Sequence, residues 1–180
     1  NALINRMGFN NAGVDALIGR LKKRRVPGVL GVNIGKNRDT PLENALEDYR
    51  VCLEKVYPYA DYVVINISSP NTPGLRQLQS QDYLDDLLRQ MNKTRQQFSK
   101  SIPIFVKISP DLSPDQLQHL VNSVLQHQLD GIIATNTTIH RESVKGDPKS
   151  SELGGLSGHP LYPQSKSIIQ ACIKQVSGQI

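Results

Sequence analysis

The stretch Asn66-Ile67-Ser68-Ser69-Pro70-Asn71-Thr72-Pro73-Gly74-Leu75-Arg76 gathers two amides, three hydroxyls and an arginine directly after the apolar run Tyr62-Val63-Val64-Ile65. Two other stretches share its character: Asn5-Arg6-Met7-Gly8-Phe9-Asn10-Asn11, and Thr135-Asn136-Thr137-Thr138 followed by Gly154-Gly155-Leu156-Ser157-Gly158. An amide carries a neutral donor and a neutral acceptor in one side chain. Several converging on one place suit a planar, amide-rich ring such as a pyrimidine or a flavin better than a metal ion. A serine hydroxyl among them is a poor base by itself and must pass its proton onward through a neighbour or water. Alternation along the strand sets Asn66 and Ser68 against Ile65 and Ile67, and Pro70 forces Ser69 into an extended conformation. Pattern alone leaves Ser68 and Ser69 as equal candidates. Lys107 stands alone inside the apolar run Ile102 to Ile108. An unpaired buried ammonium is costly, so a functional reading is favoured over a structural one.

Other chemistries find less support. His119, His127, His140 and His159 form no ligand spacing, and no metal is expected. Cys52 and Cys172 lie far apart on helical patterns without a CxxC, which reads as free, buried thiols. The net charge is +5, yet the only dense basic run, Lys22-Lys23-Arg24-Arg25, ends a helical pattern where cations complement the helix dipole. No nucleic-acid partner is expected from it. No stretch approaches the roughly 18 consecutive apolar residues of a membrane span.

The elements that must position these residues alternate as βα units. A chain of 180 residues suits one domain or part of one. Four runs rich in Val and Ile, Val29 to Ile34, Tyr62 to Ile67, Ile102 to Ile108 and Gly131 to Thr135, read as strands buried on both faces. Val14, Leu17, Ile18 and Leu21 give the stripe of a first helix. Thr40-Pro41-Leu42-Glu43 reads as a capping box opening a second helix, and Ser113-Pro114-Asp115-Gln116 as another. Two more helices are expected at about 82 to 98 and 164 to 176. Thr72-Pro73-Gly74 carries the signal of a type II turn.

Each strand ends in a polar side chain that an apolar core does not require: Asn33, Asn66, Lys107, then Thr135 with Asn136. Asn at a strand end is often only a turn former. Four such ends, each about one βα unit from the next, point instead to one ligand site at the carboxyl ends of a parallel sheet. Neither the GxGxxG nor the Walker pattern follows any strand, which favours a TIM (β/α)8 barrel over an open sheet. Only the central part of such a barrel, about four to five βα units, is expected here. The long polar loop containing Asp147 to Glu152 is a candidate lid.

INRMGFNN, GVNIGKN, NISSPNTPGLR, VKISPDL, ATNTT and GGLSGHPL, in this order and spacing, resemble the quinone-dependent class of the dihydroorotate dehydrogenase family. The resemblance runs from residue 1 to about residue 165. It implies an FMN enzyme of pyrimidine biosynthesis on a TIM barrel, oxidising dihydroorotate to orotate and passing the electrons to a membrane quinone. It implies Ser69 as the base that takes the C5 proton while hydride leaves C6 for the flavin. Where the soluble class has cysteine this chain has Ser69, which sets the class. Asn5, Arg6, Met7, Gly8, Phe9, Asn66, Asn71, Asn136 and Thr137 match positions that hold the substrate. Asn33, Asn66, Lys107, Thr135 and Gly158 match positions that hold FMN.

The resemblance also implies an N-terminal segment that docks on a membrane and terminal barrel strands, which are expected to fall outside these 180 residues. The expectation is therefore a partial FMN-binding domain over residues 1–180 that, by itself, is inactive and binds FMN weakly or not at all. The parent protein is expected peripherally on the cytoplasmic side of a bacterial inner membrane, the alternative being the mitochondrial inner membrane. Two rival readings are a soluble-class enzyme using fumarate or NAD, against which Ser69 speaks, and a non-catalytic half-barrel binding an anionic partner. Salt-sensitive binding of nucleic acid would be the mark of the second.

Overall fold

A computed structural model describes all 180 residues. In chain order the elements are β1 (Ala2–Asn5), α1 (Val14–Leu21), β2 (Gly31–Ile34), α2 (Ala45–Val56), β3 (Tyr62–Asn66), α3 (Gln81–Arg95), β4 (Ile104–Ile108), α4 (Pro114–Gln126), β5 (Gly131–Ala134), β6 (Gly155–Gly158) and α5 (Tyr162–Val176). Strands β2, β3, β4 and β5 form one parallel sheet in that order, every neighbour consecutive in sequence. No helix is long and apolar enough to cross a membrane.

One face of the sheet explains the apolar runs. Val63, Ile65, Ile104, Val106 and Ile108 join Tyr49, Leu53, Leu87, Leu88, Met91, Leu120 and Val124 of the covering helices in a single buried core. The opposite face is graded along the strands. At its lower end Tyr62 and Phe105 meet edge to face, ring centroids 5.6 Å apart. Glycine flanks each ring, because a Cβ on Gly31 would lie 2.1 Å from Tyr62 Cζ and one on Gly131 2.9 Å from Phe105 Cδ1. Above these aromatics the same face turns polar, with Asn66 opposite Lys107 and Asn33 one step lower, opposite Val64. An apolar floor beneath a polar layer is thus written into alternate residues of each strand.

Most expected elements form, with shifted ends. Val29 stays exposed and β2 starts only at Gly31, while Ile67, Ile102 and Thr135 fall outside the strands they were predicted to join. The predicted capping box at Thr40 does not form. Pro41 instead precedes a 3-10 turn at Leu42–Asn44, and α2 follows without a side-chain cap. The Lys36 ammonium, buried in this loop, takes the Thr40 carbonyl at 2.6 Å and the Asn37 carbonyl at 2.8 Å. Those contacts pull Thr40 into the loop. Ser113 does cap α4: its Oγ accepts from Gln116 N at 3.2 Å, and Gln116 Oε1 accepts from Ser113 N at 2.9 Å. Ser113→Ala should cost about 1 kcal/mol of stability. Chemical denaturation would read this as a lower midpoint with an unchanged slope.

Composition did not foreshadow the antiparallel pairing of β1 with β6, in which Ala2 faces Gly158 and Asn5 faces Gly155. Thr138 ties this ribbon to the end of β5 by two backbone hydrogen bonds with Leu156, 2.8 and 3.0 Å long. Close approach demands the glycines: a Cβ on Gly155 would sit 1.9 Å from Thr137 Oγ1, and Gly154, at φ +124°, lies against the Asn5 carbonyl. The free edge of β5 and the flank of α5 border an apolar cavity of about 540 Å³, lined by residues such as Ile133, Ile169, Ile173 and Val176. Cys52 is half-buried on α2 and Cys172 buried on α5, both unpaired, and burial pushes both thiols up from their ordinary pKa.

Candidate active site

Three loops meet above the polar layer and, with the ends of β3 and β4, enclose a cavity of about 220 Å³. Its lining is Asn5, Met7, Gly8 and Phe9 from the exit of β1, Asn66 and Lys107 from the ends of β3 and β4, Ser69 and Asn71 from the loop after β3, and Asn136 with Thr137 after β5. Ten of the residues singled out from the sequence therefore share one cavity at the carboxyl ends of parallel strands. The other four do not line it. Asn33 Oδ1 accepts from Asn66 Nδ2 at 3.2 Å. Thr135 Oγ1 lies 3.1 Å from Ser165 Oγ, and Gly158 ends β6 against the Asn1 carbonyl. Arg6 turns outward, donating to Glu152 at 2.8 Å.

The amides and hydroxyls are held by one another. Asn136 Nδ2 donates to Ser68 Oγ at 3.0 Å, Ser68 Oγ to Asn66 Oδ1 at 2.9 Å, and Asn66 Nδ2 to Asn33 Oδ1. That chain fixes which face each amide presents. Tyr49 donates to the Asn66 carbonyl at 2.7 Å, and burial pushes its phenol so far up that it stays a neutral donor. Asn71 Nδ2 donates to the carbonyl and the side-chain oxygen of Asn5, at 3.1 and 3.2 Å, joining the loop after β3 to the exit of β1.

The two serines separate here. Ser68 is fully buried, spends its hydroxyl on Asn66 and accepts from Asn136. Ser69 lines the cavity, and its Oγ accepts only the Asn71 N–H, at 3.2 Å. A hydroxyl with its own proton still free to move is the better candidate base. Pro73 and Gly74 then turn the chain, with Gly74 at φ +71° and Leu75 N bonded to the Thr72 carbonyl at 3.2 Å. Lys107 lines the same cavity half-buried and takes part in no ion pair, so no carboxylate of the chain neutralises it.

Sequence reading missed the outer support. Arg76 donates to the Ser68 carbonyl at 3.0 Å, to the Thr137 carbonyl at 2.8 Å and to Asp111 Oδ2 at 2.6 Å. Asp111 also accepts from Thr138 Oγ1, Ile139 N and Gln164 Nε2. Burial pushes the Asp111 carboxyl up, but the hydrogen bonds from Thr138, Ile139 and Arg76 outweigh it and hold the pKa below the ordinary carboxylate value of 3.8. A carboxyl depressed in the folded state stabilises the fold at pH values above its unfolded pKa, and that contribution is lost as pH falls through the folded value. The melting-temperature gap between the unaltered chain and Asp111→Asn should therefore be full near neutral pH and shrink as pH drops below about 4. A gap independent of pH from neutral to acid would contradict this.

The loop between Thr138 and Gly154, which holds the candidate lid, is tied together at its two ends. Arg141 donates to the Gly154 carbonyl at 2.6 Å and the Glu152 carbonyl at 3.2 Å, while Glu152 pairs with Arg6.

The chain is similar to known proteins along its whole length. The family model for dihydroorotate dehydrogenase matches residues 1–180. A dihydroorotate dehydrogenase (quinone) of Coxiella burnetii (strain Dugway 5J108-111) is 54% identical over 173 residues, covering 94% of this chain and 50% of that protein. One from Klebsiella pneumoniae (strain 342) is 52% identical over 182 residues, covering 99% of this chain and 54% of that protein. The crystal structure of DHODH from Eimeria tenella in complex with ferulenol superposes with a TM-score of 0.91 at 39% identity, covering 99% of this chain and 54% of that one. The chain thus spans about half the length of the curated relatives it matches. With its six motifs in order, four of them contributing residues to one cavity, the chain belongs to the dihydroorotate dehydrogenase family.

Proposed function

We propose that the protein oxidises dihydroorotate to orotate with FMN as its redox group and a membrane quinone as final acceptor, a step of pyrimidine biosynthesis. The observation that carries this is the convergence of Asn5, Asn66, Ser69, Asn71, Lys107, Asn136 and Thr137 on one cavity in a chain of this family. Residues 1–180 then form the central part of a (β/α)8 barrel, a reading supported by sequential parallel strands and by the unpaired edge of β5 beside its apolar cavity. A peripheral position on the cytoplasmic face of a bacterial inner membrane is consistent with the bacterial relatives named for quinone.

The residues present fit the two ring systems. Asn5, Asn71, Asn136 and Thr137, with the loop Arg6 to Phe9, offer neutral donors and acceptors for a ring bearing amide edges. Asn33, Asn66, Lys107, Thr135 and Gly158 would hold FMN. Among them Lys107 is a half-buried cation without a carboxylate partner, as an anion-accumulating ring would require. When bound, FMN would supply the acceptor for the hydride leaving C6. Ser69 takes the proton from C5 and passes it on to a neighbour or water. Thr72 is buried in the same loop, while the one hydrogen bond at Ser69 Oγ comes from the Asn71 N–H. Asn71 and Asn136 orient the ring so that C5 faces that hydroxyl.

The test is to load the protein that carries this chain with FMN and add dihydroorotate without oxygen. Bleaching of the flavin band, followed by reoxidation faster with a ubiquinone analogue than with fumarate or NAD, is expected. A flavin that stays oxidised would overturn the reading, and preference for fumarate would move it to the soluble class.

A further inference from the structure

We propose that Arg76 and Asp111 are a positioning pair that sets the distance between the two walls of the cavity, the Ser69 loop and the Asn136-Thr137 turn. The inference rests on the dihydroorotate reading given above. Neither residue lines the cavity, so neither touches the substrate. Their contacts nonetheless reach both walls. The carbonyl that Arg76 Nε holds belongs to Ser68, immediately before the candidate base. The one that Arg76 Nη2 holds belongs to Thr137, which lines the opposite wall.

Only a guanidinium meets the geometry. Its five donors lie in one rigid plane, so two carbonyls and a carboxylate bound to it cannot drift independently. A lysine in its place offers one tetrahedral ammonium on a flexible stem, able to pair with Asp111 but not to span both carbonyls. Asp111 fixes the plane in turn. Its Oδ2 takes Arg76 Nη1 at 2.6 Å and the Ile139 N–H at 3.0 Å, and its Oδ1 takes Thr138 Oγ1 and Gln164 Nε2. The pair is mostly buried, the side chains 20% and 9% exposed, so water does not substitute for a lost arm. The same support thus reaches the β3 loop, the β4 loop, the turn after β5 and helix α5. A base and a substrate-holding amide on opposite walls must keep their separation to a fraction of an ångström, since a 1 Å misplacement can cost about 10²-fold in rate.

The test compares Arg76→Lys, Arg76→Ala and Asp111→Asn in the FMN-loaded protein that carries this chain. Four readouts are taken: single-turnover flavin bleaching, FMN affinity, melting temperature and the isotope effect with C5-deuterated dihydroorotate. Arg76→Ala should bleach about 100-fold more slowly, with FMN affinity within about threefold and a larger C5 isotope effect. Added guanidinium should restore part of the rate. Arg76→Lys, which preserves the charge pair, should still lose about tenfold with little change in melting temperature, and it decides the matter if Arg76→Ala fails to fold. Bleaching within about threefold of the unaltered protein in Arg76→Lys, or a loss matched by FMN affinity and untouched by guanidinium, overturns the proposal. If the Arg76 variants give that overturning result while dihydroorotate still bleaches the unaltered protein far faster than Ser69→Ala, only the positioning role falls and the functional reading stands. If the unaltered protein is not bleached at all, the functional reading falls and this proposal with it.

Discussion

Ser69→Ala should leave FMN bound and orotate affinity nearly intact while slowing flavin reduction by dihydroorotate about 10²- to 10⁴-fold, the usual worth of a positioned general base. The substitution removes one oxygen from a cavity wall whose remaining polar groups are held by other contacts. Asn71 Nδ2 stays on Asn5, and Asn136 stays on Ser68. The Asn71 N–H loses an acceptor 3.2 Å away, a small effect at a loop that the Thr72 to Leu75 turn already shapes. Ser68→Ala is the informative contrast. It breaks the chain of hydrogen bonds from Asn136 to Asn66 inside the protein, so orotate affinity should fall along with rate. Anaerobic single-turnover bleaching and orotate titration separate the two. Turnover at the unaltered rate in Ser69→Ala would remove Ser69 from the base position.

Ser69 shows how far sequence reaches and where it stops. Alternation in Tyr62 to Ile67 correctly sets Ile65 and Ile67 in the core and Asn66 on the cavity side, because a period of two follows from backbone geometry alone. The same alternation cannot rank two adjacent serines. Their difference lies in a partner in the turn after β5, Asn136, about seventy residues away in the chain. The pairing of β1 with β6 was hidden for the same reason. Two four-residue strands, Ala2-Leu3-Ile4-Asn5 and the glycine-flanked Gly155-Leu156-Ser157-Gly158, are too short to carry a periodic signal, and they stand about 150 residues apart. Thr40 failed as a cap because the ammonium of Lys36 competes for its backbone, a contact no local pattern encodes. Arg76 stood in plain view in the motif, but an arginine after a turn is ordinary on a surface. What distinguishes it is burial against Asp111 and two carbonyls, which only the assembled loops reveal.

Lys107→Met should slow flavin reduction about 10²- to 10³-fold and lower the flavin midpoint potential, with orotate affinity changed less than about threefold. Strand β4 delivers Lys107 to the polar layer between Asn66 of β3 and Ile133 of β5, where it is half-buried and without a carboxylate. Holding a cation there without a partner costs the fold free energy, and methionine of similar length removes that cost. The variant should therefore be at least as stable as the unaltered protein, which separates a charge effect from a folding defect. A fixed positive charge in a site with little water stabilises whatever negative charge develops beside it, so its removal bears on the reduced flavin more than on the oxidised one. The potential measures that difference at equilibrium and the bleaching rate measures it in the transition state, so both should move in the same direction. If orotate affinity instead falls as far as the rate while the potential holds, Lys107 serves the substrate's carboxylate and the cofactor assignment passes to Asn33, Asn66 and Thr135.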